Sequence, residues 1–332
     1  VDNVILYFDR AIDDNVIYRL EISSQVSNCV GSPMFSSCEV MLGLPGEAAF
    51  NDLVINEILF NPLAGGEDYV ELYNRSEKII ELSEISLASI KSSFPNPEDT
   101  VIKEITEDCN LCFPGEFVCL SKNPERVMDY YYSNNPEAMI SMGSFPSFNN
   151  DEGRVALVGR SGYFIDLFHY SEDMHHPLLN FVDGISLERI HYDRPAHNAN
   201  NWHSASSASG YGTPGVENSQ FLSSEGNNDA VYIHPKTIFP DNQYGDKSNL
   251  GIFYSFNQPG YTANVFIFDS RGYLVRNLVR NELLGTRGSF SWNGLDDRRC
   301  IVSPGIYIIL MEVFDTMGNN MKYKKAAVVG SR

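Results

Sequence analysis

The sequence predicts an all-β chain built from tandem sandwiches, and three observations carry that expectation. Aromatic residues make up 12% of the chain and fall in short runs closed by Gly, Pro, Asn or Asp, the pattern of strands and turns. Several of these runs alternate apolar with polar residues, as half-buried strands do. At 332 residues the chain exceeds one ordinary domain, so two or three units with separate cores are expected. Hydrophobic residues at 43% and charged residues at 20% give the balance of a globular rather than a disordered protein.

The elements follow in order. Residues 4–8 and 16–22 read as strands joined by the polar turn Asp13-Asp14-Asn15. The 1–51 stretch is too short for a sandwich of about 100 residues, so it reads as a partial segment. Residues 53–60 form a strand that Asn61-Pro62 ends, and Gly65-Gly66 turns the chain into residues 69–74. There Val70 and Leu72 share one face, while Tyr69, Glu71 and Tyr73 share the other. A short helix is expected after Asn123, which offers an N-cap before Pro124 at the first helical position. Val127, Met128, Tyr131 and Tyr132 fall on one side of it. Residues 220–248 are polar and rich in Gly and Asn, and read as a linker. Strands resume at Leu250, with runs at 252–256, 265–269 and 306–311.

Charge is unevenly placed along the chain. The formal net charge is -19, but residues 1–219 hold 12 Lys+Arg against 33 Asp+Glu, while 220–332 hold 12 against 10. The acidic part repels phosphate backbones, which argues against nucleic acid, and it attracts basic partners or a divalent cation. No apolar run is long enough for a bilayer-spanning helix. No basic, apolar leader precedes the strand-like run at 4–8, as expected of a processed product. Cys29 and Cys38 bracket a loop with Gly31 and Pro33, and a disulfide between them is expected in an oxidising compartment. Cys119 and Cys300 are expected to be unpaired.

Cys109, Cys112 and Cys119 have the opening spacing of a zinc site, but the fourth ligand is missing locally and Cys119 lies in a strand. His191, His197 and His203 recur every six residues, which fits neither a helical nor a strand metal pair, and His175-His176 reads as loop. Glu57, Glu71 and Glu188 could poise a proton donor or hydrogen-bond and pair with Arg75 and Arg189, and the structural part is the one expected. Gly159-Arg160-Ser161-Gly162 lacks the spacing of a nucleophile elbow. No catalytic, cofactor-binding or metal-binding residue is assigned.

Val54-Ile55-Asn56-Glu57-Ile58, followed by Asp68-Tyr69-Val70-Glu71-Leu72-Tyr73-Asn74, resembles the opening of a lamin tail domain. Matching segments follow at 114–120, 151–157 and 183–189, and Asn201-Trp202 with Gly212-Thr213-Pro214-Gly215 closes the resemblance over residues 52–219. Cys109 and Cys112 depart from the pattern. Tyr18-Arg19-Leu20-Glu21-Ile22 resembles a closing strand of bacterial Ig-like modules. Trp292-Asn293-Gly294, Pro304-Gly305-Ile306-Tyr307 and residues 315–319 resemble the Ig-like domain of flagellar hook-capping proteins, a module also seen in secreted proteins of the Bacteroidetes lineage. The resemblance implies tandem immunoglobulin-like β-sandwiches over 52–219 and 249–332, after a partial Ig-like segment.

It also implies a non-catalytic, adhesive or structural protein at the extracellular or outer-membrane surface, with a protein or glycan partner. Tyr130, Tyr131 and Tyr132 are the candidate interaction surface, since tyrosine is common in binding surfaces. The alternative is a set of accessory domains of a larger secreted hydrolase or nuclease. DNA binding by analogy with lamins conflicts with the acidic charge.

Overall fold

The computed structural model describes residues 7–14, 16–24, 27, 31–32, 37–91, 100–222, 230–240 and 248–331. The expected Cys29–Cys38 disulfide falls on Cys29, outside the described residues, as do residues 4–6 of the first expected strand. The architecture is all-β and of immunoglobulin-like sandwich type, with one short α-helix among the described residues.

At the N-terminal end, β1 (Tyr18–Ile22) and β2 (Cys38–Leu42) form an antiparallel pair with Leu20 opposite Val40. Most of their side chains are partly or fully exposed, so this pair has little core of its own.

The central unit contains β3 (Leu53–Leu59), β4 (Tyr69–Asn74), β5 (Ile80–Glu81), β6 (Ile85–Ile90), β7 (Thr100–Glu104), β8 (Leu111–Cys112) and β9 (Phe117–Ser121). It continues with α1 (Pro124–Tyr130), β10 (Met139–Ser141), β11 (Glu152–Gly159), β12 (Phe164–Ser171), β13 (Leu187–Arg189) and β14 (Trp202–Ser204). A six-stranded sheet of order β10-β9-β4-β3-β13-β14 faces a four-stranded sheet of order β12-β11-β6-β7. Ile55, Ile58, Val70, Leu72, Leu120 and Leu187 meet Leu87, Val155, Leu157 and Phe168 in the core between them. Burying such side chains is worth roughly 1.5–3 kcal/mol each. Trp202 stacks on Phe168 with ring centroids 3.6 Å apart and donates Nε1–H to Ala196 O at 2.8 Å.

The register of β3 against β4 shifts between Ile55 and Glu57. That irregularity turns Glu57 to the outer face of the sheet while Ile55 and Ile58 both stay in the core. Helix α1 forms where its cap predicts, with Asn123 accepting from Arg126 N. It covers part of the same outer face, where Leu59, Tyr69, Cys119, Val127 and Tyr131 form a second, smaller core.

The C-terminal unit comprises β15 (Ala230–His234), β16 (Thr237–Ile238), β17 (Leu250–Ser255), β18 (Thr262–Asp269), β19 (Leu274–Leu283), β20 (Arg287–Trp292), β21 (Gly305–Phe314) and β22 (Asn320–Val329). A three-stranded sheet, β15-β17-β20, packs on a five-stranded sheet, β16-β22-β21-β18-β19. Trp292 is fully buried between them with Tyr307, Ile309 and Met311. Two of these strands lie inside the 220–248 stretch expected to be a linker: β15 pairs with β17, and β16 pairs with β22. Gln220 is likewise fully buried. The polar composition misled because β15 alternates exposed and buried positions, so only Val231 and Ile233 signal the core.

Candidate functional site

The outer face of the six-stranded sheet carries one row of titratable side chains. Register places Cys119 opposite Glu71, Glu71 opposite Glu57, Glu57 opposite Glu188, and Glu188 opposite His203. Residues paired in this way project from the same face. The three glutamates are fully buried, because residues 211–220 run over them. Adjacent carboxylates repel and burial removes their hydration, so they hold only if protonated or densely hydrogen-bonded.

The covering segment supplies those bonds. Glu57 accepts from Tyr69 OH at 2.7 Å, Thr213 N at 3.0 Å and Thr213 Oγ1 at 3.0 Å, and also from Ser186 Oγ. Glu71 accepts from Asn56 Nδ2 at 2.8 Å and from Gly215 N. Glu188 accepts from Ser219 Oγ at 2.8 Å and Gln220 N at 2.8 Å, and its Oε1 lies 2.9 Å from Thr213 Oγ1. Gly215 has φ +87°, and a Cβ there would lie 3.0 Å from Asn135 O, so a glycine is required where the chain crosses Glu71. Burial pushes all three carboxyls up, Glu188 to about 8, and the neighbouring Glu57 carboxylate adds to the shift of Glu71 and Glu188. The expected arginine partners lie elsewhere. Arg75 pairs with Asp193, and buried Arg189 pairs with Asp166 at 2.8 Å. The row therefore clamps the 211–220 segment; with its carboxyls fully buried, it offers a substrate no surface.

His203 ends the row at the junction with the C-terminal unit. Its ring lies 5.4 Å from that of His176, and His176 Nε2 is 3.2 Å from Gly260 O across the junction. His175 Nδ1 meets Ser204 Oγ at 3.0 Å. Burial holds His175 and His203 down to about 4. The spacing of His191, His197 and His203 did not reveal this grouping: His203 joins His175 and His176, while His191 sits beside Asn201 and Asp193. Beside the histidines, Gln220 Nε2 bridges Ser204 O and Leu284 O at 3.0 Å each. Thr286 donates to Ser219 O at 2.9 Å and to Phe221 O at 2.8 Å.

The cysteines of the suspected zinc spacing are separated. Exposed Cys109 donates to Glu81 Oε2 at 3.0 Å, Cys112 lies in the central core, and Cys119 lies on the outer face. Among the described residues no group of three or more His, Cys, Asp or Glu side chains has metal-binding geometry.

The tyrosine surface is split. Tyr131 is buried at 5% exposure and donates to Gly184 O at 2.9 Å, which corrects its expected place in an exposed surface. As the residue that closes α1, it points back along Val127 into the second core. Tyr132 is 83% exposed, and Tyr130 is partly exposed with its hydroxyl bonded to Ala64 O at 3.0 Å. Two further exposed apolar side chains, missed by sequence, lie on the loops bonded to this helix end. Leu63 lies over Gly184, where a Cβ would come 2.5 Å from Leu63 Cγ. Phe181 is 80% exposed on the loop before Gly184. These loops are tied by Gly184 N to Asn61 O at 2.7 Å and Asn61 Nδ2 to Asp183 Oδ1 at 3.0 Å. A cleft of about 440 Å³ lies elsewhere on the unit, lined by Glu47, Ile80, Glu84, Arg160 and Tyr163.

No family model matches the chain, and no curated protein matches it. Among solved structures it is similar to CopC of Methylosinus trichosporium OB3b at 14% identity and TM-score 0.22, covering 32% of this chain and 96% of that one. It is also similar to two proteins of Porphyromonas gingivalis. PorZ, described as an essential bacterial surface component of the type-IX secretion system, matches at 18% identity and TM-score 0.22 over 54% of this chain and 21% of PorZ. Dimeric latent PorU matches at 12% identity and TM-score 0.24 over 90% of this chain and 23% of PorU.

Proposed function

We propose that the chain is a non-catalytic interaction module of an exported bacterial surface protein, with a central unit of lamin-tail type that presents a loop surface to a protein or glycan partner. The observation that carries this reading is the exposed group Leu63, Tyr130, Tyr132 and Phe181 on two loops and the C-terminal end of α1, which hydrogen-bond one another. Aromatic side chains on a prefixed frame bind at low entropic cost. These loops and α1 carry Glu67, Glu125, Asp129 and Asp183 against Arg126, so a basic protein surface is the favoured partner. The lamin-tail motifs support the reading further, because Glu57, Glu71, Glu188, Thr213 and Gly215 all fall in those motifs and serve the clamp.

The test is binding of the whole chain to a panel of basic proteins and cell-surface glycans, with Tyr132→Ala and Phe181→Ala as probes. Loss of at least tenfold in affinity, about 1.4 kcal/mol, with unchanged folding supports the reading. Binding indifferent to both substitutions, or turnover of glycoside, ester, peptide or nucleic-acid substrates, overturns it.

A further inference from the structure

The five-stranded sheet of the C-terminal unit has an apolar inner face and carries an apolar patch on its outer face as well. Its inward positions, among them Val265, Ile267, Ile309 and Met311, fill the core. The outward positions form rows across the strands: Phe266 opposite Leu310, Phe268 opposite Ile308, Ile308 opposite Ala326, and Ile306 opposite Val328. Leu274 extends the second row beside Phe268. None of these outward side chains is buried, and Ile306, Leu274 and Val328 are exposed, as is neighbouring Tyr273. From strand spacing and rise the apolar area is roughly 400 Å². That is the size at which a patch on a soluble protein is commonly functional.

Charge decides the occupant. Glu312 is already paired with Lys322 at 2.6 Å, and Asp269 with Arg271 at 2.8 Å. Lys324 stands opposite Leu310 rather than opposite a carboxylate. Residues 249–332 hold 10 Lys+Arg against 6 Asp+Glu, whereas 1–219 hold 12 against 33. The molecule is thus bipolar, and an anionic surface draws this end while repelling the other. A second copy stacked on the same face would bury only about 800 Å² in total, below a standard stable interface, and would bring like charges together.

We propose that the outer face of this sheet docks on an anionic lipid surface, with Phe266, Phe268, Ile306 and Leu310 entering the headgroup layer and Lys324 meeting phosphate. An apolar face with Tyr273 and Lys324 beside it suits such an interface, where aromatic rings and long cationic side chains settle. The inference stands apart from the loop surface of the central unit.

The experiment is co-sedimentation of the whole chain with vesicles of phosphatidylcholine, alone or mixed with phosphatidylglycerol, at low and high salt. Binding is expected to the mixed vesicles and to weaken with salt. Lys324→Ala should weaken it roughly fivefold, the effect of about 1 kcal/mol per basic side chain at a membrane surface. The double substitution Ile306→Ser with Leu310→Ser should abolish it while near-ultraviolet circular dichroism stays unchanged. No vesicle binding, or binding that ignores all three substitutions, overturns the proposal. So does vesicle-independent self-association that strengthens with salt and is lost in the double variant, which would make a second copy the occupant.

Discussion

Glu57 and Glu188 share one hydroxyl: Thr213 Oγ1 lies 3.0 Å from Glu57 Oε2 and 2.9 Å from Glu188 Oε1. A threonine hydroxyl has a single hydrogen to give. The other contact is therefore made by a carboxyl proton donated to Thr213, so one of the pair is neutral. Glu188→Gln should then leave stability within about 1 kcal/mol at pH 6, because an amide can still donate and accept. Glu188→Ala strands the Ser219 and Gln220 donors and should cost about 1–3 kcal/mol. Urea denaturation of the two variants separates these outcomes, and equal losses would refute the shared proton.

The pH dependence should show a plateau with two declining limbs. A carboxyl raised above its ordinary 4.5, as Glu188 is to about 8, stabilises the fold below 4.5 and loses that contribution as pH rises through about 8. An imidazole lowered below its ordinary 6.5, as His175 and His203 are to about 4, stabilises above 6.5 and loses that contribution as pH falls through about 4. Between about 4.5 and 6.5 the two effects oppose each other. Melting temperature measured against pH should fall on both sides of that window, and Glu188→Gln should flatten the alkaline limb alone.

Arg189 and Asp166 form an ion pair almost wholly withdrawn from water. Arg189 also donates to Arg194 O at 2.8 Å, while Asp166 accepts from Ile55 N at 2.9 Å beside the β3 irregularity. Removing the cation leaves a buried, unpaired carboxylate, so Arg189→Ala should cost about 3–5 kcal/mol. Equilibrium unfolding measures this, and a loss below about 1 kcal/mol would mean that water or a neighbour replaces the guanidinium.

Tyr131 and Tyr132 should respond oppositely to alanine. Tyr131 fills the second core, so its truncation should cost about 3 kcal/mol or more. Tyr132 is almost fully exposed, so its loss should change stability by less than about 0.5 kcal/mol. Thermal melts of the two single variants check the contrast.

Much of the fold was legible because alternation maps directly onto sandwich faces. Val70 and Leu72 lie in the central core as their spacing required, and Asn123 caps the helix that begins at Pro124. What sequence did not reveal was the second covering of the outer face. Tyr69 and Glu71 lie on the strand face opposite Val70 and Leu72, and it is helix α1 together with the return of residues 211–220, more than a hundred residues later, that buries that face. Local pattern carries no record of such a contact. The same holds for His203, whose neighbours His175 and His176 come from another loop, and for Tyr131, where a step of one residue separates a core side chain from an exposed one.

Ser219 and Gln220 bond Glu188 on one side and Thr286 and Leu284 on the other. A pull on the C-terminal unit consequently does not act through the peptide backbone alone; part of the load passes sideways into β13 through these hydrogen bonds. Because Thr213, Gly215, Ser219 and Gln220 are each bonded to the glutamate row, detaching the segment requires several bonds to fail rather than one.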